Sequence, residues 1–118
     1  MSIYYKVYCP STVLAGDVLS YNETTSLWEI TTTQSPNFGV ARVDAIARGE
    51  GFSTELVLDG YVLAKASRSI PPQGGKMHIE NGRVYVDNSS DGCGVICPQE
   101  IDNSTPRNAG DLVAIIVR

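Results

Sequence analysis

The chain contains one histidine, His78, and three cysteines, Cys9, Cys93 and Cys97. Any nucleophilic or metal chemistry has to be built around these four side chains. Catalysis of the Ser-His-Asp or Cys-His kind needs a histidine oriented and sheltered beside its nucleophile. In Lys76-Met77-His78-Ile79-Glu80 the alternation puts His78 on the face of Lys76 and Glu80, the exposed side of a strand. The carboxylates fall mostly in turns and on polar faces, with no obvious pair. These residues predict a protein that is not an enzyme.

A Cys₃His zinc site would need Cys93 and Cys97 together with Cys9 and His78. The spacing Cys93-Gly94-Val95-Ile96-Cys97 is tolerable, but there is no second knuckle. Residues four apart in a strand share a face about 13 Å from one another, too far for one ion unless the segment bends. Buried free thiols are therefore expected, with no metal and no cofactor. An odd number of cysteines also fits a reducing compartment better than a disulfide scaffold.

Asp87-Asn88-Ser89-Ser90-Asp91-Gly92 is like the first half of a calcium loop, with oxygen ligands at alternate positions and glycine at the sixth. Pro98 stands at the twelfth position, where the bidentate glutamate belongs, so an Asx-rich turn is predicted instead. Gly49-Glu50-Gly51 and Gly74-Gly75-Lys76 lack the spacing of a phosphate loop and read as turns. Asn22-Glu23-Thr24, Asn88-Ser89-Ser90 and Asn103-Ser104-Thr105 match the glycosylation pattern. Residues 1–6 lack the charged start and apolar block of a secretory signal, so these are read as polar loops.

The elements that must position these residues are strands. Hydrophobic residues make up 42% of the 118 and charged residues 19%, a globular composition with a thinly charged exterior. Thin surface charge implies that part of the surface is meant to be covered. The net charge of −4 and nine scattered basic residues argue against nucleic acid as a partner. The longest apolar run, Leu112 to Val117, has the length of a strand and not of a membrane span. Short runs of Val, Ile, Leu and Tyr, broken by Gly, Pro, Asn and Ser, predict an all-β domain. The rhythm is that of a small antiparallel β-barrel or sandwich.

The clearest element is a hairpin over residues 76–87. Asn81-Gly82 suits a type I′ turn because both residues accept positive φ. That turn sets Ile79 opposite Val84 and Met77 opposite Val86 on an apolar face. On the wet face it sets Glu80 against Arg83, His78 against Tyr85 and Lys76 against Asp87. A second hairpin joins residues 18–21 to 27–30, with Trp28 as a core anchor. Residues 38–43 read as a strand. Residues 55–58 and 61–64, separated by Asp59-Gly60, fit a tight hairpin or one long bulged strand. Residues 112–117 are apolar on both faces and are placed mid-sheet. Residues 71–75 form a connector and residues 101–110 a polar loop.

An internal echo points to a duplicated β-hairpin unit. Gly16-Asp17-Val18-Leu19, a turn, Trp28-Glu29-Ile30 and Gly39-Val40-Ala41 make one round. Gly75-Lys76-Met77-His78-Ile79, a turn, Val84-Tyr85-Val86 and Gly94-Val95-Ile96 make another. Ala109-Gly110-Asp111-Leu112-Val113 repeats the opening Ala15-Gly16-Asp17-Val18-Leu19.

The remaining feature is surface. Ile3, Tyr4, Tyr5 and Tyr8 crowd one short segment, read either as an edge strand with Tyr4 or Tyr5 packed inward or as a contact arm. The organisation expected is an N-terminal arm or edge strand over residues 1–12 and a single all-β domain over 13–118. A contact arm would add a strand to a partner through main-chain bonds, with tyrosines as anchors.

Several of these phrases together resemble the opening of small phage head decoration (cement) proteins. They are Ala15-Gly16-Asp17-Val18-Leu19-Ser20-Tyr21, Trp28, Gly39-Val40-Ala41, Ala45-Ile46-Ala47-Arg48-Gly49-Glu50 and Val57-Leu58-Asp59-Gly60-Tyr61-Val62. In this sequence Leu19 stands where that family has a second Val, and Tyr61 interrupts the later strand. The resemblance covers the first half of the chain, and the second half only through the echo. It implies a protein made in the host cytoplasm and added to the outside of an icosahedral head, where it bridges and stabilises neighbouring major capsid subunits. It further implies the major capsid protein as partner and self-association as a trimer or dimer, with no nucleic acid and no membrane involved. Ile3, Tyr4, Tyr5 and Tyr8 are then the capsid contacts, and the family has no catalytic residues to carry over. The alternative is a β-module of a phage tail fibre or baseplate binding a protein or carbohydrate.

Overall fold

The computed structural model describes residues 3–32, 37–99 and 105–117. They form ten strands and no helix: β1 (Ile3–Cys9), β2 (Val18–Asn22), β3 (Leu27–Ile30), β4 (Phe38–Ala41), β5 (Ile46–Arg48), β6 (Gly51–Lys65), β7 (Gly75–Glu80), β8 (Arg83–Val86), β9 (Gly94–Ile96) and β10 (Leu112–Val117). The ladders between them are antiparallel and run in the order β3-β2-β4-β6-β10-β9-β7-β8, with β1 and β5 also paired to β6. The ladder is not closed into a barrel, so of the two architectures expected the open, sandwich-like one is formed. A single parallel bridge, Ala66 to Val84, brings β8 back against the segment leaving β6 and curls that lobe on itself. Ser2 and residues 101–104, part of the segments assigned above to the N-terminal strand and the polar loop, lie outside the described residues.

Strand β6 organises the molecule. Its 15 residues pair with β1, β4 and β5 in the first half and with β10 from Gly60 to Lys65. Asp59-Gly60 therefore sits inside one long strand and makes no hairpin. The inward positions are Val57 before Gly60 but Val62 and Ala64 after it, so the alternation slips once between them. Gly60 has φ +99, a conformation that suits glycine, and an added residue in one strand shifts the faces in this way.

The core forms two clusters that share strands. Val18, Val40 and Val57 face a main core with Ile70, Met77, Ile79, Val84, Ile96, Val113 and Ile115. Leu19, Ala41 and Leu56, their chain neighbours, face a second cluster with Cys9 and Val13. Because adjacent strand residues point to opposite faces, β2, β4 and the middle of β6 are covered on both sides. Each fully buried aliphatic side chain contributes about 1.5–3 kcal/mol. Trp28 packs at the rim of the second cluster, half-buried, with its ring centroid 5.6 Å from that of Tyr21, and not at the centre of a core.

The echo in the sequence is a repeat in the ladder. β2 lies between β3 and β4, and β7 lies between β8 and β9, so each round is a hairpin with its third strand on the opposite edge. The Ala-Gly-Asp repeat is a repeated turn. Asp17 takes the Leu14 amide on its carboxylate at 2.9 Å, and Asp111 takes the Asn108 amide at the same distance. Gly16 and Gly110, just before these aspartates, have φ +96 and +91.

The hairpin of β7 and β8 has the register its turn dictates, with Asn81 at φ +49 and Gly82 at φ +72. Its wet face differs from the simple pairing of charges. Glu80 pairs with Arg68 and not Arg83, and Lys76 approaches Asp91 at 3.8 Å and not Asp87. His78 does stand opposite Tyr85, but it is buried. Tyr85 stacks on it with centroids 5.5 Å apart, and the Arg68 guanidinium lies 3.8 Å over Tyr85. Alternation fixed the face; Arg68, from beyond β6, then covered it.

Candidate docking surface

The catalytic candidates are dispersed. His78 Nε2 lies 2.9 Å from the Asp87 carbonyl, its ring closed in by Tyr85. Cys9 is buried in the second cluster, while Cys93 and Cys97 are half-buried. Burial pushes the thiols of Cys9 and Cys93 above the ordinary cysteine range, away from the reactive thiolate. Cys93 Sγ faces the Met77 carbonyl at 3.5 Å. No three His, Cys, Asp or Glu side chains converge among the described residues. The calcium-loop look-alike is an Asx turn: Asp87 accepts the Ser89 amide at 2.9 Å, and Asn88 Oδ1 accepts the Lys76 amide at 2.9 Å.

The unusual chemistry is on the surface. β1 pairs with β6 along its seven residues and forms a ladder with no other strand among the described ones, although β3 packs beside it. Cys9 anchors its end in the second cluster and Val7 is half-buried, but from Ile3 to Lys6 both faces are exposed. Ile3, Tyr4, Tyr5 and Tyr8 are between 50% and 59% exposed, so neither Tyr4 nor Tyr5 is packed inward. The segment is a paired edge strand that nonetheless presents its side chains outward. Tyr4 is held by the Arg42 guanidinium, 4.2 Å from its ring centroid, and Arg42 meets Glu55 at 3.4 Å.

A second exposed apolar area lies on the outer face of β6 and β10. Cross-strand neighbours Tyr61 and Ile116, and Leu63 and Ala114, share that face, as does Leu112 opposite Lys65. Tyr61, Leu63, Leu112 and Ile116 are each 40–53% exposed. Thus β10 does lie mid-sheet, between β6 and β9, but only its inner face of Val113, Ile115 and Val117 is covered. A cleft of about 540 Å³ joins the two areas, with Tyr4 and Arg42 on one wall and Tyr61, Leu63 and Leu112 on the other. Exposed apolar surface of this kind is the sort that contact with another protein buries. The residues from β6 and β10 were not singled out in the sequence. The available signal was β10 itself, apolar at every position when one covered face needs only alternate ones.

No family model matches the chain, and no curated protein matches it either. Among solved structures, the N base of the head fiber gp8.5 of bacteriophage phi29 is similar, with a TM-score of 0.58 and 17% identity over 100% of this chain and 95% of that one. At that identity the likeness concerns the fold.

Proposed function

We propose that the protein is a structural component of a phage head: a decoration protein that binds the outside of the capsid and bridges neighbouring major capsid subunits. The observation that carries this reading is β1, a strand with an unpaired edge and four large exposed side chains, Ile3, Tyr4, Tyr5 and Tyr8. An edge like this is normally blunted by charge, proline or a covering element. Here Lys6 is the only charged residue between Ile3 and Cys9, Pro10 comes only after the strand, and β3 packs beside β1 without forming a ladder with it. A partner strand added there would gain main-chain bonds, and the tyrosines would anchor it with little loss of side-chain entropy. The similar fold of a phage head fiber base supports the same setting. Many copies on one shell turn weak single contacts into firm attachment through avidity. Self-association as a trimer or dimer, a non-enzymatic role and a place on the virion exterior belong to this reading.

The test is co-sedimentation of the purified protein with expanded heads that lack it. Removing residues 1–9 is a poor control, because it strips the pairing from β6 and takes Cys9 from the second cluster. Tyr5→Ser and Tyr8→Ser alter exposed side chains and are expected to leave the fold intact. Saturable binding by the wild type, weakened about tenfold in the double variant, is the expected result. Failure of the folded wild-type protein to bind heads would remove the reading.

A further inference from the structure

Strand β1 is held to the body unequally along its length. Its end is anchored: Cys9 is 1% exposed inside the second cluster, and Val7 packs against that cluster. β3 packs beside β1 and shares the same cluster with this anchored end, through Trp28. From Ile3 to Lys6 no side chain belongs to either cluster, and each is exposed. The main-chain ladder to β6 holds these residues, helped by the Arg42 guanidinium over the Tyr4 ring. The ladder is irregular at its tip, where the register passes over Leu58 between Ile3 and Tyr4. β6 has other partners to keep it in place. β5 pairs with it from Gly51 to Ser53, and the Thr54 hydroxyl donates to the Val43 carbonyl at 2.7 Å. The Arg42 amide donates to the Glu55 carbonyl at 2.8 Å, and β4 pairs at Leu56 and Val57. Beyond Asp59 the pairing passes to β10, where Val117 stands opposite Gly60.

Leu56 and Val57 are buried in clusters to which residues 3–6 contribute nothing. Releasing those residues therefore gives up main-chain hydrogen bonds, which water replaces, and no burial from either cluster. Local opening begins where few apolar contacts hold a segment. We propose that β1 is a strap hinged at Val7: Ile3 to Lys6 peel from β6 and close again, while Val7 to Cys9 stay paired and the rest of the sheet stays folded. Opening unpairs that edge of β6 from Glu55 to Asp59. It also takes Tyr4 out of the wall of the 540 Å³ cleft, leaving Arg42 with Glu55. One continuous ladder thus becomes two free strand segments beside a wider cleft. The strap is a property of the free protein and does not rest on the capsid-binding reading.

The test is residue-resolved amide hydrogen exchange on the full chain, repeated across a series of low urea concentrations. The amides of Tyr4, Tyr5 and Lys6 that face β6 are expected to exchange at least about a hundredfold faster than those of Leu19 and Val40 in the interior strands. Their rates are expected to be nearly flat in urea, because the opening exposes little surface, while those of Leu19 and Val40 rise steeply. Tyr4→Ser removes the Arg42 contact and is expected to speed exchange at Tyr5 and Lys6 about two- to fivefold, with Val40 and the urea midpoint unchanged. Exchange at Tyr4, Tyr5 and Lys6 as slow and as urea-dependent as at Val40 would mean that β1 opens only with the whole domain, and the strap would be overturned. Equally fast exchange at the β6-facing amides of Val7 to Cys9 would overturn it too, because the whole strand would then leave with no hinge at Val7.

Discussion

Gly16 and Gly110 hold the same position in the two copies of the Ala-Gly-Asp turn, with φ of +96 and +91, so they test backbone strain against packing. A Cβ at Gly110 would meet nothing within 4 Å. At Gly16 it would stand 2.7 Å from Leu112 Cδ2 and 3.2 Å from the Lys65 backbone nitrogen. The Leu112 methyl can swing aside, but the Lys65 amide is bonded to the Gly16 carbonyl at 3.0 Å and cannot. Both alanine variants incur the strain of an L-residue at positive φ, about 1–3 kcal/mol. Gly16→Ala is expected to lose clearly more stability than Gly110→Ala in urea unfolding; equal losses would mean that strain alone decides. In the sequence these phrases were legible as a repeat and not as turns, although an Asp that caps a turn and a Gly that permits it are informative as residue types. His78 was not, because alternation states which face a side chain occupies and not what distant Arg68 will do to cover it.

The hairpin of β7 and β8 passes into the turn at Asp87, and there the element acquires a pH dependence. The hydrogen bonds from the Ser89 hydroxyl, then from the Ser89 amide, hold the Asp87 carboxyl below the ordinary carboxylate range. A carboxyl depressed in the folded state stabilises it fully above the unfolded pKa, and that stability is lost as the pH falls through the folded value. Asp87→Asn is therefore expected to be less stable than wild type at neutral pH, the two converging in acid. A gap in urea midpoint that persisted unchanged in acid would assign the effect to packing. At this scale the sequence was most readable where the turn chemistry was local: Asn81-Gly82 fixed the register of Met77, Ile79, Val84 and Val86. It was ambiguous at Asp59-Gly60, because the same dipeptide serves a hairpin or a bulge and only the non-local pairing of β1, β4 and β10 along β6 decides. The outward face of β10 was hidden for a related reason. Leu112 and Ile116 have the same hydrophobicity whether their cover comes from this chain or from another.

For the whole molecule, sharing of strands decides how it unfolds. The radius of gyration is 13.9 Å, close to the roughly 13.5 Å expected of one compact domain of this length. Its extents of 46 × 26 × 25 Å show that the body is elongated, as two core clusters in series would make it. Two clusters would melt separately if each had its own strands. Here Val18 and Leu19, Val40 and Ala41, and Val57 and Leu56 each send one neighbour into each cluster. Losing the second cluster strips one face from the strands that wall the main core, so the clusters are coupled. Trp28, the single tryptophan, reports on the second cluster, and far-UV circular dichroism reports on all the strands. The two signals are expected to follow one urea transition, and Leu56→Ala, costing about 2–5 kcal/mol, is expected to move both curves together. With pairing dominated by distant segments, the main refolding phase should fall in the millisecond-to-second range. A Trp28 transition at lower urea than the dichroism would show that the second cluster opens alone. β1, whose Cys9 and Val7 belong to that cluster, would then be free to leave β6 and act as an arm rather than as an edge.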